Sequence, residues 1–255
     1  MTLGLPLSTM YAFLLVLARV SGFVMFLPVP AFRAAADGIR VVFALVLTFA
    51  LFPAWPNIQN TMMPLSQLVV WAAAEAGFGL AAGIATAFLT ETFQLAMQIL
   101  GLQAGYGYAS TIDPTSQADA GVLQVMSMLV TGLLFFSTGL DRALLRMLAK
   151  SFEAFPAGSW TPAARNLDGI VQLGSGMFSL GLRTAMPVVA FLLLIDVALA
   201  LLGRMQQQLQ LLSLAFPAKM LAALAGLALL APIMAKMFES ASSHMMEALA
   251  RLILR

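Results

Sequence analysis

Five ionisable side chains interrupt apolar runs of this 255-residue chain, Arg19, Glu75, Glu91, Arg183 and Asp196, and Arg204 closes the run that holds the last two. A charge at the centre of a bilayer costs about 2.5 to 3.5 kcal/mol on insertion scales, so each must face protein or water. Such groups can relay protons or ions, or they can form structural ion pairs between helices or subunits. A relay needs several titratable groups close together, and none of these is adjacent in sequence. Glu75 and Glu91 would stand about 24 Å apart on one helix, and Arg183 and Asp196 about 20 Å. Partners are therefore expected on other helices or in other subunits.

The richest concentration of polar chemistry is Gly101 to Gly121, which includes Gln103, Gly105, Gly107, Asp113 and Pro114 and contains no base. Irregular backbone of this kind survives at membrane depth only where protein or a wet cavity surrounds it. Gly101, Gly105 and Gly107 do not suggest a nucleotide loop, because an apolar helix and not a strand precedes them. His244, the only histidine, has no acidic or cysteine neighbour at ligand spacing and is read as a surface or interface residue. There is no cysteine, which removes disulfides and thiolate chemistry, and no metal, catalytic or cofactor-binding arrangement stands out.

The elements that must position these groups are apolar. The chain is 61% hydrophobic and 9% charged, with mean hydropathy +0.95, whereas soluble domains carry about 25% charged residues. This is the composition of an all-α polytopic membrane protein, read as a single membrane domain over 1–255. The formal charge of +2 and the dispersed bases do not suggest nucleic acid as a partner. Six segments approach the roughly 20 residues needed to span a bilayer: Ser8–Leu27, Val41–Phe52 if extended back to Gly38, Leu65–Leu100, Val122 onward to Phe155, Ile170–Leu202, and Leu211–Met237 with a short amphipathic tail. The third and fifth are overlong. Kinks are expected at Pro187 and Pro217, and Gly79–Gly83 offers a close-packing face. On a six-span count, the distribution of bases favours a cytoplasmic C-terminus.

Several landmarks in order resemble the FliR family of flagellar export-gate proteins, called SctT in injectisomes. Gly101-Leu-Gln103-Ala-Gly105, continuing through Ala109 to Asp113-Pro114, is similar to the family's G-x-Q-x-G and A-x-x-x-D-P pattern. Ser151-Phe152 with Phe155-Pro156-Ala-Gly158 resembles its S-F-x-x-x-P-x-G turn. Pro187, Leu201-Leu202-Gly203-Arg204 and Phe216-Pro217 match its P...G-L-L-x-R...F-P block, and Arg19 and Arg40-Val41 also sit where the family places them. Thr138-Gly139-Leu140, Ala200 and Gln207 depart from the pattern.

The resemblance implies kinked helical hairpins and a non-enzymatic, multi-pass subunit of the bacterial inner membrane and flagellar basal body. It implies FliP-like and FliQ-like partners, a neighbouring FlhB-like subunit, and unfolded secreted proteins as the passing substrates. It also implies that the loop from Gly105 to Gly121 plugs a central channel, and that neighbouring subunits satisfy the intramembrane charges. An injectisome counterpart and a self-sufficient secondary transporter, with broken helices at Gly101 and Pro187 around a small solute, are the alternatives.

Overall fold

Runs of apolar residues this long leave the backbone no water to bond to, so each must satisfy its own donors and acceptors by coiling into a helix. A computed structural model describes residues 6–29, 37–56, 58, 64–106, 122–156, 158–160, 164–205 and 211–254. Among these it shows α1 (Leu7–Met25), α2 (Asp37–Ala50), a 3-10 turn (Phe52–Ala54), α3 (Leu65–Ala104), α4 (Val122–Ser137), α5 (Leu140–Ala154), α6 (Ala164–Met205) and α7 (Leu211–Leu254). Hydroxyls in these helices are absorbed locally: Thr48, Thr86, Thr131 and Thr184 each donate to the carbonyl four residues earlier.

Four helices, α1, α3, α6 and α7, are individually long and apolar enough to cross a membrane, and the bent pair α4–α5 makes a fifth candidate. The polytopic helical class expected from sequence is what the chain adopts. Three segments differ from their expected form. The second begins at Asp37, beside the expected Gly38, but stops after 14 residues, about 21 Å against a hydrocarbon core of about 30 Å. Leu51 and the proline-containing 3-10 turn end it, and the Trp55 indole folds back to donate to the Thr48 carbonyl at 3.0 Å.

The fourth segment is two helices, because Gly139 takes a left-handed conformation (φ +70°) and the chain bends by 62°. The sixth does not taper into a separate tail but runs as one helix of 44 residues. Among the described residues there are four or five candidate spans, against the six on which the C-terminal orientation rests. Pro187 lies inside α6, and Pro217 and Pro232 lie inside α7, with helix on both sides of each.

The chain divides into two compact units: 1–89 with 135–174 and 242–255, and 90–134 with 175–241. In the first unit, α1 packs along α2, with Phe13 in tilted ring contact with both Phe49 and Trp55. Against α3, α1 comes closer still. A Cβ on Gly79 would collide with the Arg19 carbonyl, one on Gly22 with the Ala76 carbonyl, and one on Gly83 would stand 2.7 Å from the Phe23 carbonyl. Gly79 and Gly83 thus serve as the close-packing face that the sequence offers, with Gly22 as the reciprocal glycine on α1.

In the second unit, the C-terminal part of α3 packs with α6 and α7. Phe93 meets Phe238 at 5.5 Å between ring centroids, Gly181 backs onto the Thr92 carbonyl and Leu95, and Gly226 seats the Val188 methyls. Large apolar side chains stay outward on α6 and α7, including Leu194 at 68% and Leu229 at 79% exposure.

Candidate functional site

Two polar clusters stand out among the described residues, one in each unit, and they differ in kind. In the first, Arg19 and Glu75 are fully buried and pair at 2.5 Å through Arg19 Nε and Glu75 Oε2. The remaining guanidinium donors are also used. Nη1 donates to Ser151 Oγ at 2.9 Å, and Nη2 donates to the Phe155 carbonyl at 3.1 Å. Ser151 Oγ donates onward to the Leu148 carbonyl. The cation lies over two rings, 4.6 Å from the centroid of Phe78 and 4.3 Å from that of Phe152, so the apolar wall itself contributes attraction.

The second oxygen of Glu75 accepts the Gly158 N–H at 2.9 Å. Gly158 has φ +80° and presses against the Trp71 ring, while Trp160 packs edge-on to Phe78. A backbone with a left-handed residue against an indole admits only glycine. The motif Ser151-Phe152 through Phe155-Pro156 to Gly158 is therefore the piece of chain that completes this ion pair. One hydroxyl, one carbonyl and one N–H come from it.

In the second unit, the polar cluster stands at the end of α3. Gly105 N–H donates to the Leu102 carbonyl at 3.2 Å and Tyr106 N–H to the Gly101 carbonyl at 2.9 Å, with Gly105 at φ +86°. This paired arrangement is a Schellman cap, which needs a residue without a Cβ at the left-handed position. A Cβ there would in addition meet the Phe216 ring at 2.8 Å.

Two residues before Gly105, Gln103 Nε2 donates to Asp196 Oδ2 at 3.1 Å. Lys219 Nζ donates to the same carboxylate, 2.8 Å from Oδ1 and 3.0 Å from Oδ2. The Tyr106 hydroxyl donates to the Met220 carbonyl at 3.3 Å, and burial raises the pKa of that phenol. Asp196 is 39% exposed and Lys219 14%.

Of the residues singled out in the sequence, the structure brings Gln103, Gly105 and Asp196 together and joins Arg19 to Glu75. Arg19, Glu75 and Asp196 find partners on other helices of this same chain and need none from a neighbouring subunit. Glu91 is half-buried, and Arg183, Arg204 and His244 are exposed. Gly101 lies within the last turns of α3, where a Cβ would meet nothing within 4 Å. Gly107, Asp113, Pro114 and Gly121 lie outside the described residues.

Sequence reasoning missed Lys219, Ser151 and the Gly158 N–H as partners. Lys219 could have been noticed as the only ionisable residue between Leu211 and Ala235. In the sequence, Ser151 and Gly158 stand out only as turn residues.

The comparisons agree with this reading of the landmarks. A family model described as "Bacterial export proteins, family 1" matches residues 10–245, nearly the whole chain. The chain belongs to this bacterial export family. Relatives include proteins named "Flagellar biosynthetic protein FliR". That of Escherichia coli (strain K12) is 29% identical over 239 residues, covering 93% of this chain and 90% of its own length. That of Caulobacter vibrioides is 28% identical over 225 residues, covering 87% of each. That of Bacillus subtilis (strain 168) is 26% identical over 214 residues, covering 82% of this chain and 81% of its own. Both polar clusters fall inside the span matched by the export family.

Proposed function

We propose that the chain is a non-enzymatic channel subunit of the flagellar protein export gate, in the inner membrane at the flagellar basal body. It assembles with FliP-like and FliQ-like subunits beside an FlhB-like one. The stretch from Gly101 to Gly121 closes the pore through which unfolded flagellar proteins leave. Export-family membership over residues 10–245 and relatives bearing a flagellar name support the setting.

The observation that carries the closure reading is the way α3 stops. A long apolar helix ends in a glycine cap at Gly105, and two side chains of that end, Gln103 and Tyr106, are tied to α6 and α7. The sequence that follows is rich in glycine, hydroxyls and amides and has no base. Its only charged side chains are the two acids Asp113 and Asp119, and its glycines allow it several backbone conformations at low steric cost. Outward apolar side chains on α6 and α7 offer surface for lipid or partner subunits.

The test is to replace residues 107–121 by a short Gly-Ser linker in cells that express the partner subunits. Ion leak across the inner membrane should rise while FliP-like and FliQ-like proteins still co-purify with the chain. A membrane that stays sealed around an assembled, loop-shortened complex refutes the closure role.

A further inference from the structure

We propose that Arg142, Arg146 and Lys150 make α5 a docking surface for an acidic helix of a neighbouring subunit. The proposal rests on the assembly reading above, and its observations lie wholly in the first unit.

The three bases recur at every fourth residue, so they stand about 6 Å apart along α5 and within an arc of about 80°. Leu140, Leu144, Leu148, Ser151 and Phe152 fill the opposite face and are buried. All three bases are exposed, and none forms a hydrogen bond or ion pair among the described residues. The acids of α5 do not balance them. Asp141 lies about 100° round the helix from Arg142, with its Oδ1 enclosed. Glu153 shares the basic face but comes only at the end of the helix, and it pairs with no base among the described residues.

The place of α5 decides what covers this face. Its C-terminal end is fixed to α1, where Ser151 and the Phe155 carbonyl accept the Arg19 donors, about 5 Å past the midpoint of α1 along its axis. α5 also packs on the 3-10 turn, whose capping Trp55 rests against Phe13 of α1. α1 is long and apolar enough to cross a bilayer, and with α1 upright, Lys150, the residue before Ser151, stands near mid-depth. Headgroups are about 15 Å from there, farther than a snorkelling lysine reaches, and acyl chains do not solvate an ammonium. Lipid is therefore a poor cover for this face. A neighbouring helix with Asp or Glu at one-turn spacing meets all three bases, because two helices side by side share the rise that sets the interval. Apolar or basic helices would strand the same charges, so the stripe selects its partner as well as holding it.

The test uses the whole assembly in native membranes. A photo-reactive amino acid in place of Arg146 should cross-link to a neighbouring subunit, and the captured peptide should hold Asp or Glu at three- or four-residue spacing. Neutralising the stripe with R142Q/R146Q/K150Q should weaken retention of that subunit by about fivefold for each base. Lys in place of two captured carboxylates should restore retention to a chain carrying R142E/R146E/K150E, a rescue that loss of packing would not produce. SDS unfolding of the purified chain should be the same for the neutralised chain and the wild type. If the neutralised chain unfolds early, the single variant Arg146→Gln takes its place, where a fivefold loss of retention supports the proposal and equal retention overturns it. Cross-links to lipid, to a passing polypeptide or to a peptide without acids overturn it as well. Full retention by a folded, neutralised chain also overturns it, and the assembly reading then stands alone. If the unaltered chain retains no other subunit, assembly itself fails and the docking surface falls with it.

Discussion

Removing one partner of the Arg19–Glu75 pair should destabilise the first unit far more than removing both. Arg19→Leu leaves Glu75 buried with a single donor, the Gly158 N–H. Glu75→Gln leaves a guanidinium at 0% exposure with no counter-charge, held by Ser151, Phe155, two rings and at most one neutral amide oxygen. Breaking a buried pair in this way costs about 3–5 kcal/mol, which lowers the folded-to-unfolded ratio by roughly two to three and a half orders of magnitude. The double variant R19L/E75L removes both charges. What it loses is hydrogen bonds to Ser151, Phe155 and Gly158, each worth about 1 kcal/mol net, and it regains apolar contact with Phe78 and Phe152.

The double variant should therefore be more stable than either single. Unfolding of the purified chain from mixed micelles by added SDS, followed by tryptophan fluorescence, reads this directly, because Trp71 and Trp160 both line the cluster. A single variant that loses less than about 1 kcal/mol, or a double variant no better than the worse single, would show that the pair does not organise this unit.

Other substitutions separate the roles of the glycines. Gly79→Leu forces α1 off α3, since even its Cβ would overlap the Arg19 carbonyl. It should cost more than about 3 kcal/mol, beyond ordinary overpacking, and abolish a cysteine cross-link engineered between α1 and α3. Gly105→Ala places a Cβ at φ +86° and against Phe216, for a loss of about 1–2 kcal/mol. Gly101→Ala, in the same motif but in helix with open space around it, should be neutral or stabilising by about 0.5–1 kcal/mol. The SDS titration distinguishes the two, and equal losses at Gly101 and Gly105 would refute the cap.

The amino-acid sequence by itself determined the class of this protein and most of its helices. Apolar runs of 20 residues and more can satisfy their backbone only by coiling, so α1, α3, α6 and α7 were legible from composition and length. Turn chemistry was legible too. Gly105 and Gly158, both picked out in motifs, take the left-handed conformations that no other residue accepts cheaply.

Only the tertiary structure decided which charges meet. Arg19 and Glu75 are 56 positions apart and Asp196 and Lys219 are 23 apart, and a helix carries its periodicity but not the identity of its neighbour. The sequence showed that lone charges needed partners; the approach of α1 to α3 through Gly22 and Gly79, and of α3 to α6 and α7 at Gln103, selected them. The break at Gly139 and the early end of α2 were decided in the same way. At Gly139 the pattern turns from uniformly apolar to amphipathic and after α2 Pro53 interrupts it, but the size of the bend at one and the fold-back of Trp55 at the other depend on local backbone geometry that hydropathy does not encode.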